Sequence, residues 1–139
     1  MRYLLDTHVL VWLLSGQTSR LPQHLLESIT YCEDSFAVSE MSFIEIIQLQ
    51  QQHRIAIDKN PEVLREIVEN SSISVVPVDG GVLARFFGLP IPEINGRQHA
   101  DPFDRIIIAT AILHGLTLVS ADTKFPWYKQ NCNLQLLQI

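Results

Sequence analysis

With 139 residues, 47% of them apolar and 18% charged, the chain has the material for one ordinary domain with a sizeable core, and its composition excludes a disordered or low-complexity segment. Ten Lys and Arg stand against fifteen Asp and Glu, a net charge of -5, so no bulk positive field attracts nucleic acid and an anionic substrate would need local help. Cys32 and Cys132 are isolated thiols without CxxC or matching His spacing, which argues against a disulfide framework or a zinc site and fits a reducing, cytoplasmic setting. The opening apolar run is interrupted by Asp6 and His8 and falls short of the roughly 20 residues a membrane span needs, so no membrane association is expected.

"RYLLD" reads as a short strand ending in an acid, and "HVLVWLLSG" as a helix closed by Gly16. "LPQHLLESI" places Leu21, Leu25, Leu26 and Ile29 at helical spacing, with Pro22 in the first turn. "SFAVS" is a buried strand, and Ser39 then caps a helix through "EMSFIEIIQLQQQH" whose Met41, Ile44 and Leu49 face a core. "NPEVLREIVENS" has an Asn60 cap, Pro61 at the first helical position and Val63, Ile67 and Val68 on an apolar stripe. "ISVVPV" is strand-like, and "DGGVLARFFGLP" is a short helix. The stretch "IPEINGRQHA" is expected to be a mobile loop. "PFDRIIIATAILHG" is a helix, "LTLVS" a buried strand, and "LQLLQI" the last strand. No internal repeat or domain boundary is visible, so residues 1–139 are taken as a single domain. Strands alternating with helices imply an α/β fold with a mainly parallel sheet, whose ligands sit beyond the carboxyl ends of the strands.

That rule directs attention to the acids. Asp6 ends the first strand, where it could cap the next helix or face a ligand. Glu45 sits among Phe43, Ile44, Ile46 and Ile47, where a carboxylate is either on a solvated face or must be paired or ligating. Asp101 precedes Pro102 in the pattern of a helix cap. Asp104, at the third helical position, could support that cap, yet with Asp101 capping it is surplus to helix initiation. Asp122 follows the strand "LTLVS" by two residues, either in an Asx turn or at the same sheet edge as Asp6. Brought together, such carboxylates repel and raise one another's pKa, a conflict that a hard divalent cation resolves; oxygen-only ligands suit magnesium or manganese better than zinc. A site of that kind can activate water for phosphodiester hydrolysis.

"LLDTHVLVWLL", "VSEMSFIEI" and "DPFDRIIIATAILHGLTLVSAD" resemble, in order and spacing, the PIN-domain ribonucleases, and most closely the VapC-type toxins of toxin–antitoxin systems, from about Tyr3 to Tyr128. The resemblance implies a three-layer α/β/α fold and a metal-dependent endoribonuclease whose Mg2+, replaceable by Mn2+, is held by Asp6, Glu45, Asp104 and Asp122. It also implies hydroxyl support from Thr7 and Ser120, an RNA substrate, a cognate antitoxin that blocks the pocket, and a homodimer. Asp101 belongs to the same motif and is assigned to capping behind the ligands. Where this subgroup often shows Trp before the helix glutamate and Lys one turn after it, the chain has Ile44 and Leu49, and its approach to "DPFDR" is longer.

Arg97, Arg105 and Lys124, neighbours of the acids in sequence, are candidate RNA phosphate contacts, each equally readable as a solvated or ion-paired charge. His8 is expected to be packed on its apolar helix, and His99, in the polar loop, is a weaker general-base candidate still. Trp12 and the Phe86–Phe87 pair are expected in core or dimer packing. Two other classes remain: an inactive PIN-like domain that binds RNA or an antitoxin, and a phosphoacceptor domain. The latter wants paired acids at the first strand, whereas "LLDTH" offers one.

Overall fold

The computed structural model describes residues 1–139. Strands β1 (Arg2–Leu5), β2 (Ser35–Ser39), β3 (Ile73–Val76), β6 (Thr117–Ser120) and β7 (Gln135–Gln138) form one sheet in the order β3-β2-β1-β6-β7. Every pairing in it is parallel. The connections include helices α1 (Thr7–Leu14), α2 (Gln23–Tyr31), α3 (Glu40–Gln51), α4 (Pro61–Asn70), α5 (Gly80–Gly88), α6 (Pro102–His114) and α7 (Phe125–Asn131).

Side chains alternate across the strands, so each strand feeds two cores. Leu5, Phe36, Val38 and Val119 join Val9 and Leu10 of α1, Leu25 of α2, Phe43 and Ile46 of α3 and Leu64 and Val68 of α4 in one cluster. Leu4, Ala37 and Leu118 join Val82 of α5, Ile106–Ile108 of α6 and Phe125 and Tyr128 of α7 in the other. This is a three-layer α/β/α sandwich, and burial on both faces explains why the strands read as unbroken apolar runs. Asp6, Ser39, Asn60, Asp79 and Asp101 cap α1, α3, α4, α5 and α6 through their side chains, as acceptors for otherwise unpaired helix N–H groups. Gly115, at φ +62, ends α6 in the left-handed conformation that glycine adopts without strain.

Four details depart from the sequence reading. "IPEINGRQHA" folds into an antiparallel hairpin of β4 (Glu93–Ile94) and β5 (Arg97–Gln98). Its turn residues Asn95 and Gly96 both have positive φ, as a two-residue type I′ turn requires. Helix α7 fills Phe125–Asn131, a stretch in which the sequence pattern marks no element. Along α4 the buried residues are Leu64 and Val68, while Val63 is exposed. Ile44 on α3 is also exposed, at 53%. No helix is long and apolar enough to cross a membrane.

Candidate active site

The chain leaves β1 at Leu5, and the adjacent β6 ends at Ser120. The helices that follow β1 and those that precede β6 lie on opposite faces, so a crevice opens between these two strand ends, where α/β sheets hold their ligands. Asp6 lies in it and is only 4% exposed. The Thr7 amide donates to Asp6 Oδ1 at 2.8 Å and the Ser120 hydroxyl to Oδ2 at 2.7 Å. The Asp122 amide donates to the same Ser120 oxygen at 3.0 Å. Ser120 thereby fixes Asp6 and the turn carrying Asp122 against each other. The Asx turn foreseen at Asp122 is also present, since its Oδ1 accepts from the Lys124 amide at 2.8 Å. A capping role and a place in the crevice are therefore not alternatives at Asp6 or Asp122.

Glu45 enters from α3. The Thr7 hydroxyl donates to Ser42 Oγ at 3.0 Å, stitching α1 to α3 one turn before Glu45. Glu45 Oε1 is buried without any hydrogen-bond partner. Burial pushes the Glu45 carboxyl up to about 7, and the charges of Asp104 and Asp6 add to it. Asp6 is likewise pushed up to about 7, chiefly by burial, against the lowering effect of Ser120 and with the charges of Asp104 and Asp122 adding.

Asp101 and Asp104 separate as their sequence contexts suggest. Asp101 is exposed and its Oδ1 caps α6, accepting from the Phe103 and Asp104 amides at 2.9 and 3.3 Å. Asp104 turns inward, its side chain 14% exposed, and its carboxyl is raised by burial and by the charges of Asp101 and Asp122. What lowers it is His99, whose Nε2 lies 3.1 Å from Asp104 Oδ2. His99 Nδ1 meets the Tyr128 hydroxyl at 2.8 Å. An ionised Asp104 can only accept, so Nε2 carries the proton and Nδ1 accepts from Tyr128. Burial pushes the Tyr128 hydroxyl up to about 12, so it keeps the proton it donates.

His99 is therefore no free base in a polar loop. It is buried at 5% exposure and holds a site carboxylate. The available signal was Asn95-Gly96: a two-residue hairpin sets His99 opposite Pro92, whose carbonyl accepts the His99 amide at 2.9 Å. Tyr128 had no such signal, because seven residues of α7 are too few for periodicity to speak.

The basic residues redistribute as well. Arg105 is corrected as a phosphate contact: it is 5% exposed, its guanidinium donates to the Leu89 and Pro90 carbonyls at 2.9 and 3.1 Å, and it lies over the Phe86 ring. Lys124 sits 3.6 Å from the Asp122 carboxylate, and Arg97 is exposed on β5. His8 is exposed rather than packed. Phe86 is half-buried, whereas Phe87 is 93% exposed.

Asp6, Glu45, Asp104 and Asp122 are thus linked through their charges around one crevice. No three of them close on a single ligating point. The donor set fits a hard divalent cation: four carboxylates, no sulfur, and in Glu45 Oε1 a buried acceptor with nothing to accept from.

Comparison with known proteins supplies the family. The PIN domain family model matches residues 3–129, which include all four acids. The chain belongs to the PIN-domain family. This PIN domain is 33% identical over 123 residues to Ribonuclease VapC22 of Mycobacterium tuberculosis (strain ATCC 25618 / H37Rv), a match covering 87% of each chain. Its fold is shared with VapBC2 from Rickettsia felis bound to a promoter DNA fragment (TM-score 0.64, 19% identity, 99% and 98% of the two chains). It is shared equally with DNA-bound VapBC from Salmonella typhimurium (TM-score 0.63, 17% identity, 99% and 98%). At those identities the structural likeness speaks for the fold.

Proposed function

We propose that this PIN domain is a Mg2+- or Mn2+-dependent endoribonuclease and the toxin of a toxin–antitoxin pair. The observation that carries the reading is the burial of Asp6, Glu45 and Asp104 around one crevice, which raises all three carboxyls, beside the unpartnered Glu45 Oε1. That arrangement is costly for a scaffold and useful for holding a cation. The ribonuclease relative and the VapBC structures support the same reading.

In the mechanism, Asp6, Glu45, Asp104 and Asp122 hold the cation. When bound, it supplies positive charge for the scissile phosphate and activates water for in-line attack. The chain's own contribution is orientation. Ser120 fixes the Asp6 carboxylate, His99 and Tyr128 fix that of Asp104, and the Thr7–Ser42 bond sets the helix bearing Glu45. No side-chain nucleophile is needed.

A cognate antitoxin is the expected partner, by analogy with the VapBC assemblies. Homodimer formation belongs to the same reading: Leu83 and Phe87, one turn apart on α5, expose 51% and 93% of their surface as a second copy would require. Residues 1–139 acting as one domain in the cytoplasm is part of the proposal, in keeping with the free thiols of Cys32 and Cys132. The test is cleavage of a mixed RNA pool by the antitoxin-free protein in EDTA, magnesium or manganese, beside Asp104→Asn. Cleavage that requires both metal and Asp104 is expected. A folded protein that cleaves nothing with either metal would favour an inactive domain that binds RNA or antitoxin.

A further inference from the structure

An RNA whose scissile phosphate reaches the acids must run over a protein of net charge -5. Of the cations nearest the acids in sequence, Arg105 is buried and Lys124 faces Asp122, which leaves only Arg97, exposed on β5. A different surface supplies what they do not. Between α1, the 3-10 turn Thr18–Arg20 and the end of α3 runs a groove of about 500 Å³. Its walls carry His8, Arg20, His53 and Arg54, all exposed, together with half-buried Trp12, and no acid. Neither arginine is in a salt bridge; Arg54 has only a 3.5 Å hydrogen bond to Gln52. An adjoining hollow that shares His53, Ile55 and Ala56 carries one acid, Asp58.

Helix α1 lines the groove and starts at the acidic crevice. That helix begins at the Asp6 cap, and His8 and Trp12 lie one turn apart along it. The Arg20 guanidinium lies 5.2 Å from the Trp12 ring centroid, a stacked cation–aromatic pair of the kind on which unpaired bases settle.

We propose that the His8–Trp12–Arg20–His53–Arg54 groove is the track for single-stranded RNA flanking the scissile phosphate, with Arg20 and Arg54 contacting backbone phosphates and the Arg20–Trp12 pair accepting a base. This rests on the nuclease reading of the acidic crevice. Charge complementarity together with the stacking platform selects RNA over an acidic protein segment, which would use the cations but not the platform.

The test is binding of a labelled oligouridine in EDTA, where no cleavage competes, followed by fluorescence anisotropy across a salt series. Two lost phosphate contacts flatten the log–log salt slope by about 1.4 and weaken binding about 25-fold at about 0.1 M salt. Arg20→Gln/Arg54→Gln is expected to show both, with an unchanged thermal melt. Ala56→Lys, adding a cation to the same wall, should steepen the slope. Arg85→Gln/Lys129→Gln, which removes equal charge from the layer of α5 and α7, should leave RNA binding as it was. If the wild type cleaves RNA with metal but Arg20→Gln/Arg54→Gln keeps wild-type affinity and slope, the track is overturned and the nuclease reading stands. If the pair weakens binding of a labelled oligoglutamate peptide and not of RNA, the groove belongs to an acidic protein segment instead. A wild type that neither binds nor cleaves RNA overturns the nuclease reading and the track with it.

Discussion

Asp6→Asn is expected to make the metal-free protein more stable while removing its capacity to hold metal. The Asp6 carboxyl is raised from 3.8 to about 7, with burial the leading cause. A raised acid loses its proton in the unfolded chain first, so the penalty is absent well below pH 3.8, grows as pH rises towards 7, and is complete above that. About three pKa units at about 1.4 kcal/mol each make it roughly 4 kcal/mol. Asparagine keeps the shape, its carbonyl can still accept from the Thr7 amide, and its NH2 can donate to Ser120 Oγ. In EDTA at about pH 8 the variant should therefore melt higher than wild type, by roughly 8–15 °C for a chain of this size. The gap should narrow markedly by about pH 5, where the folded carboxyl is protonated. Circular-dichroism melts of both proteins across this range, repeated with magnesium, make the measurement; magnesium should raise the wild type and leave the variant unmoved. A wild-type melt that is flat across this range, with the variant no more stable at its alkaline end, would refute the reasoning.

Asp101→Ala should cost about 1 kcal/mol of stability through the lost cap, read from the denaturant midpoint, and leave Mn2+ affinity intact, whereas Asp104→Asn should abolish tight Mn2+ binding in an electron paramagnetic resonance titration. His99→Ala leaves the Tyr128 hydroxyl and Asp104 Oδ2 unpartnered and should cost about 2–4 kcal/mol. It also removes the bond that lowers the Asp104 carboxyl, so Mn2+ binding should move to higher pH. Arg105→Ala frees the Leu89 and Pro90 carbonyls and should destabilise by about 2–3 kcal/mol without changing the salt slope of RNA binding. A shallower slope would restore Arg105 as a phosphate contact.

Much of this was legible because the signals were local. Apolar runs mark strands buried on both faces, Asp-Pro marks the α6 cap, and strand ends mark the sheet edge, so the α/β order and the positions of the four acids followed from the residues and their resemblance to PIN domains. What stayed hidden depends on which way a side chain turns. Ile44 and Val63 have the hydrophobicity of core residues, yet helix phase leaves them outside. Arg105 stands beside an acid in sequence, but the first turn of α6 points its guanidinium at the carbonyls before the hairpin. His99 is polar in a polar stretch, and only the hairpin carries it inward. The cationic groove joins residues separated by more than forty positions, beyond the reach of any spacing rule.

The 2.7 Å bond from Ser120 to Asp6 spans 114 positions of chain. Its strand, β6, is held on its far side by β7, and the Ile139 amide closes on the Ser120 carbonyl at 2.9 Å. Asp6 leaves the ribosome 114 residues ahead of its partner across the crevice, a delay of roughly 6–23 s at about 5–20 residues per second. Until then β1 has no neighbour on that side and the four carboxylates have no common centre. A nascent chain of this topology therefore cannot assemble the site until β6 has followed β1 out.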